Sequence, residues 1–179
     1  MNEPKQVPPP SGATVPEPWL RGTLLNVPPV ARGVLHALEL AQEDLQKYCA
    51  GLTDEEVNTH PAGLAPVAFH LRHIARSLDR LLTYAEGRAL TPQQLIELAS
   101  ELDSGVTRSV VFEELSAALN HSAARIRALA HGDLSEQRTV GKKALPTNVG
   151  GLLVHIADHT QRHVGQAITT AKLMLSQRR

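Results

Sequence analysis

The stretch His155-Ile156-Ala157-Asp158-His159-Thr160-Gln161-Arg162-His163-Val164-Gly165-Gln166 spaces three histidines four residues apart. A step of four turns an α-helix only about 40° past a full turn. All three rings therefore leave one flank of a helix, with Leu152 and Ile156 on the same flank. Two imidazoles one turn apart can chelate a single metal ion, because their ring nitrogens converge. The helix is expected to begin near Pro146-Thr147 and to run on through Ala167, Ile168, Ala171 and Leu175.

Upstream, three more long amphipathic helices can be read. One starts after Val27-Pro28-Pro29, with proline in its favoured first-turn position, and carries Ala31, Val34, Leu35, Leu38, Ala41, Leu45 and Cys49 before Gly51 ends it. A second follows Pro66, with Val67, Leu71, Ile74, Leu78, Leu81, Leu82 and Ala85 in one broad stripe up to Gly87. A third carries Phe112, Leu115, Leu119, Ala123, Ile126 and Leu129 and stops at His131-Gly132, beyond which a polar loop reaches Leu145. Thr53-Asp54-Glu55-Glu56 and Thr91-Pro92-Gln93-Gln94 are capping boxes that open short accessory helices, the latter running to about Ser100. Four long amphipathic helices with almost no strand signal predict an all-α four-helix bundle over residues 19–179. Residues 1–18 hold Pro4, Pro8, Pro9, Pro10, Pro16 and Pro18 and form an extended or disordered arm. Trp19 and Leu20 are expected to dock on the body as its anchor.

Composition narrows the functional classes. Eighteen basic residues balance eighteen acidic ones, so there is no basic footprint for nucleic acid. No apolar run is long enough to span a bilayer, and the N-terminus lacks a signal-peptide pattern. The expected compartment is the cytoplasm. The single cysteine, Cys49, cannot form an intramolecular disulfide, and on the apolar face of its helix it reads as core. The chain has no HExxH, CxxC, GxSxG or GxGxxG, nor the Glu-x-x-His pairs of a di-iron bundle.

Histidines remain, nine of them and clumped. One histidine on an apolar face is ordinarily a hydrogen-bonded core residue. Three on one helix, with His70 and His73 three apart on another, would leave many buried rings in need of partners. A nitrogen-only set suits Zn²⁺ or Ni²⁺, and Fe²⁺ or Mn²⁺ as well, better than Ca²⁺ or Mg²⁺. On the second helix periodicity slightly favours His70, nearer the centre of the stripe, over His73.

Pro66-Val67-Ala68-Phe69-His70-Leu71-Arg72-His73-Ile74 resembles the second-helix motif of the DinB-like, YfiT-like superfamily. The quoted stretch from His155 to Gln166 resembles its fourth-helix motif, in which two ligands lie four apart and the second precedes x-Gly-Gln. The resemblance runs from about Trp19 over most of the chain. It implies a four-helix bundle with one divalent transition metal on His73, His159 and His163, His70 being the residue to replace His73 if the motif misleads. His70 and His155 then become candidate pocket residues. Where the family often has Trp-Ser or Trp-Thr, this chain has Leu64-Ala65, which unsettles inferences about substrate contacts.

By the same resemblance the function is activation of a low-molecular-weight thiol, as in an S-transferase, or of water, as in a hydrolase. Arg72, Arg76, Arg80 and Arg162 are candidates to hold an anionic thiol. The partner is then a small-molecule substrate, and a homodimer is among the assemblies implied. The alternative is a non-catalytic metal-binding or interaction protein on the same fold.

Overall fold

The structure is a computed structural model that describes residues 15–178. Its elements are α1 (Pro29–Cys49), α2 (Val67–Ala85), α3 (Pro92–Ala99), α4 (Arg108–Leu129), β1 (Gln137–Val140), β2 (Leu145–Asn148) and α5 (Val149–Ser176), with single 3₁₀ turns at Pro18–Leu20, Glu56–Asn58 and Pro61–Gly63. The four long helices form a ring in which α1 neighbours α5 and α4, and α2 neighbours α5 and α4. The all-α expectation holds. Of the proline-rich arm, residues 1–14 lie outside the described residues.

Helix boundaries follow local chemistry. Pro29 opens α1 and Val67 follows Pro66 at the start of α2. Thr91 caps α3 with both hydrogen bonds of a capping box in place, as predicted. The box at Thr53 also forms, Thr53 N donating to Glu56 Oε2 at 2.7 Å and Glu56 N to Thr53 Oγ1 at 3.2 Å. It opens only one 3₁₀ turn, since Pro61 excludes helical backbone at His60. On α4 the buried stripe is Val111, Leu115, Leu119, Ser122 and Ile126; Phe112, expected on it, lies one position round and is only partly buried.

The core is aliphatic. Leu45, Leu71, Ile74, Leu78, Leu82, Ile126, Leu153 and Ile156 are all under 2% exposed, and each contributes roughly 1.5–3 kcal/mol relative to an exposed position. Cys49 is fully buried. His36 is buried against Thr23 Oγ1 at 3.1 Å and is a core histidine.

Two expectations are corrected. The stretch before α5 is not a loop followed by helix from Pro146. It is a β-hairpin, with Gln137 opposite Asn148 and Val140 opposite Leu145. Pro146 and Thr147 belong to its second strand, and α5 starts only where Asn148 accepts from Gly151 N at 2.7 Å. The hairpin holds to α2 through Arg138 Nε, which donates to the Ala85 carbonyl at 2.8 Å. Gly87, with φ +73° and Arg138 Nε 3.6 Å from where a Cβ would lie, makes the turn that allows this approach. Nor do Trp19 and Leu20 anchor the N-terminal segment, being 61% and 57% exposed. Pro18 is buried instead, and Arg21 ties the segment to α1 through Glu39 and Glu43 at 2.9 and 2.6 Å.

Candidate metal centre

The bundle places α2 beside α5, and the histidines meet at that seam. The buried stripe of α5 runs through Leu152, Leu153, Ile156, Thr160, Val164 and Ala167. His159 and His163 stand at its edge, half-buried, while His155 has turned out to solvent. From α2, His73 reaches the same point.

One ring nitrogen from each of His73, His159 and His163 falls in a group whose members lie within 4.8 Å of one another. His73 Nε2 and His159 Nε2 are 3.2 Å apart. Bonds of about 2.05 Å in a tetrahedral arrangement put two nitrogens about 3.4 Å apart, so the His73–His159 spacing suits two ligands of one ion. Phe69, one turn back on α2, stacks on His73 with ring centroids 5.3 Å apart and meets His163 edge-on at 6.3 Å. Burial, reinforced by the neighbouring imidazoles, pushes His159 and His163 down to about 4. Both rings are therefore neutral at pH 7 with lone pairs to offer. His159 Nδ1 is buried with no partner among the described residues. A cluster of neutral, partly unpaired imidazoles is costly unless something binds it, and the donor set suits a divalent transition metal.

His70 is 4% exposed and outside the group of three. It faces the back of His163, Nδ1 to Nδ1 at 3.1 Å, and burial followed by the charges of His163 and His73 pushes it to about 4. His70 also lines a cavity of about 490 Å³ with Leu64, Ala65, Arg162, Gly165 and Thr169. The Leu64-Ala65 departure from the family motif thus forms one wall of it. A larger hollow of about 670 Å³ lies at the hairpin between Gly87 and Arg138 and, unlike the smaller one, is not lined by His70; neither is lined by His73, His159 or His163. His155 stays at the rim, its ring 5.4 Å from that of His159.

Sequence reasoning overlooked Glu101. Its carboxylate is 6% exposed and accepts from His73 Nδ1 at 2.7 Å and from Arg80 Nη1 at 2.6 Å. Burial alone would raise this carboxyl; the hydrogen bonds from His73 and Arg80 outweigh it and hold the group below its ordinary range. Glu101 follows α3 in a turn, far from either histidine motif, so no periodicity marks it. The expected anion-holding arginines are differently employed. Arg72 donates to the Asp103 carbonyl at 2.9 Å, Arg76 to Glu114 at 2.8 Å and to the Glu97 carbonyl at 2.6 Å, and Arg80 to Glu101. Only Arg162, paired with Asp158 at 2.7 Å and 56% exposed, borders the cavity.

The profile of a DinB superfamily family, DinB_2, matches residues 37–167. The chain belongs to the DinB superfamily. It is also similar to the crystal structure of a conserved protein from Enterococcus faecalis, with a TM-score of 0.65 and 19% identity over 80% of this chain and 96% of that one. At that identity the likeness is one of fold. No curated protein matches the chain. Among the described residues no helix is long and apolar enough to cross a membrane.

Proposed function

We propose that the protein is a metal-dependent enzyme that activates a low-molecular-weight thiol, or water, for attack on a small electrophile. The observation that carries this reading is the convergence of His73, His159 and His163; His70, 3.1 Å from His163, connects that cluster to the cavity of about 490 Å³ that it lines. These three side chains hold one divalent transition metal, Zn²⁺ or Ni²⁺ foremost, with Fe²⁺ or Mn²⁺ also suited to the nitrogen donors. Such an ion lowers the pKa of a bound thiol or water toward neutrality. Three protein ligands leave a position open, which is the catalytic arrangement. The chain orients the substrate: His70 contacts it from the buried end of the cavity and Arg162 meets an anionic group at the mouth.

One observation favours the alternative of a non-catalytic metal-binding protein. Both oxygens of Glu101 are engaged, by His73 and Arg80, so that carboxylate is no free general base. The two readings separate on the cobalt-substituted protein. Addition of glutathione, bacillithiol or mycothiol is expected to bring in a thiolate charge-transfer band that requires all three histidines. Turnover of a panel of electrophiles by zinc- or nickel-loaded protein follows if the site is catalytic. A cobalt spectrum indifferent to every thiol removes thiol transfer, and absence of turnover with water as well leaves metal binding alone.

A further inference from the structure

His73 has two ring nitrogens and both are committed. Nε2 lies in the cluster, 3.2 Å from His159 Nε2, and Nδ1 lies 2.7 Å from Glu101 Oε2. A carboxylate only accepts, so the shared proton resides on Nδ1 and a neutral His73 is left with a bare lone pair on Nε2. Free imidazole side chains carry no such obligation; Glu101 imposes it. The carboxylate is itself held from behind, Oε1 taking a hydrogen bond from Arg80 at 2.6 Å.

The segment that brings Glu101 to this point has no helix of its own beyond Ala99. It is fastened by arginines spaced one turn apart on α2. Arg72 holds the Asp103 carbonyl, Arg76 holds the Glu97 carbonyl and Ser100 Oγ, and Arg80 holds the Glu101 carboxylate. A carboxylate taken out of water is costly unless paired and hydrogen-bonded, and here every partner also fixes its direction. We propose that Glu101, clamped by Arg80, is a positioning residue that locks His73 in the Nδ1–H tautomer and aims its Nε2 lone pair at a metal ion shared with His159 and His163. This rests on the metal reading of the cluster, but the tautomer can be read without metal. Such outer partners orient ligating histidines and raise their basicity.

The experiment uses the full chain, native and with Glu101→Ala and Glu101→Gln. The ¹⁵N shifts of the histidine rings are recorded on metal-free protein at pH 8, and zinc affinity is measured by competition with a chromophoric chelator. Native His73 is expected as the Nδ1–H tautomer. Glu101→Ala releases it into a tautomer mixture and weakens zinc about 10- to 100-fold. Glu101→Gln keeps the shape but offers one acceptor oxygen to two donors. Arg80, which only donates, takes it, the amide NH2 faces His73 Nδ1, and the ring is expected to shift to the Nε2–H tautomer with zinc weakened about 10- to 100-fold. An Nε2–H tautomer in the native protein overturns the proposal, as does unchanged zinc affinity in the Gln variant, which decides alone if the Ala variant does not fold. Native protein that takes up no zinc, yet loses the tautomer in Glu101→Ala, sinks the metal reading and leaves the positioning of His73 standing.

Discussion

His70 Nδ1 lies 3.1 Å from His163 Nδ1, so one ring donates and the other accepts. For His163 to offer Nε2 as a lone pair, its Nδ1–H must donate to His70. His70 is then an outer support and not a ligand. Alanine in place of His73, His159 or His163 is expected to abolish uptake of one zinc equivalent. His70→Ala should weaken zinc by no more than about 100-fold, and His155→Ala, at an exposed rim position, should matter less. Isothermal titration of the five variants checks this. Loss of binding in His70→Ala together with retention in His73→Ala would place the α2 ligand one turn earlier.

Gly165 is a glycine without a steric reason. It lies inside α5, borders the cavity, and a Cβ there would meet nothing within 4 Å. Helical glycine costs about 0.5–1 kcal/mol relative to alanine. Gly165→Ala should therefore raise the melting temperature by about 1–4 °C. Gly165→Leu should fill the cavity, keep one equivalent of zinc and lose the thiol response of the cobalt spectrum. A Leu variant with an undiminished thiol response would show that the cavity is not the substrate's place.

Acid should strip the metal, because protons compete for imidazole nitrogen. The metal-free chain is sensitive to acid as well. Burial pushes His70, His159 and His163 to about 4 in the folded state, from an ordinary value of 6.5. The unfolded chain binds these protons first as pH falls. Their contribution to stability is complete above pH 6.5 and is lost toward pH 4. Urea midpoints of metal-free protein should drop across that window, and a variant lacking the three histidines should drop less.

Cys49 makes the opposite prediction at alkaline pH. Burial pushes its thiol from 9.0 up to about 12. Stability from the neutral thiol is complete below pH 9 and is lost as pH rises toward 12. Ellman's reagent should leave the native thiol untouched and react once urea unfolds the chain. The native urea midpoint should fall more between pH 8 and pH 10.5 than that of Cys49→Ala. Prompt labelling of native protein would contradict the burial.

Local chemistry made much of this molecule readable in advance. Pro29, Pro66, the Thr91 capping box and Gly87 set helix ends through steric and hydrogen-bond rules that act within a few residues. The four-residue spacing of His155, His159 and His163 put their rings on one flank before any packing was known. The hairpin at Gln137–Asn148 escaped notice because four-residue strands, one containing Pro146, carry little periodic signal, and a two-stranded pair is stable only on a support such as the end of α2.

The sequence by itself determined that the helices form and which residue types could ligate. Tertiary structure decided which of them meet. It brought His73 rather than His70 together with His159 and His163, turned His155 to solvent, and spent Arg72, Arg76 and Arg80 on the segment that carries Glu101. The physical reason is that spacing along a helix fixes direction around its own axis alone. The approach of α2 to α5, and of the turn after α3 to His73, depends on how the whole bundle packs, and no local pattern encodes a distance between chain segments 28 or 86 residues apart.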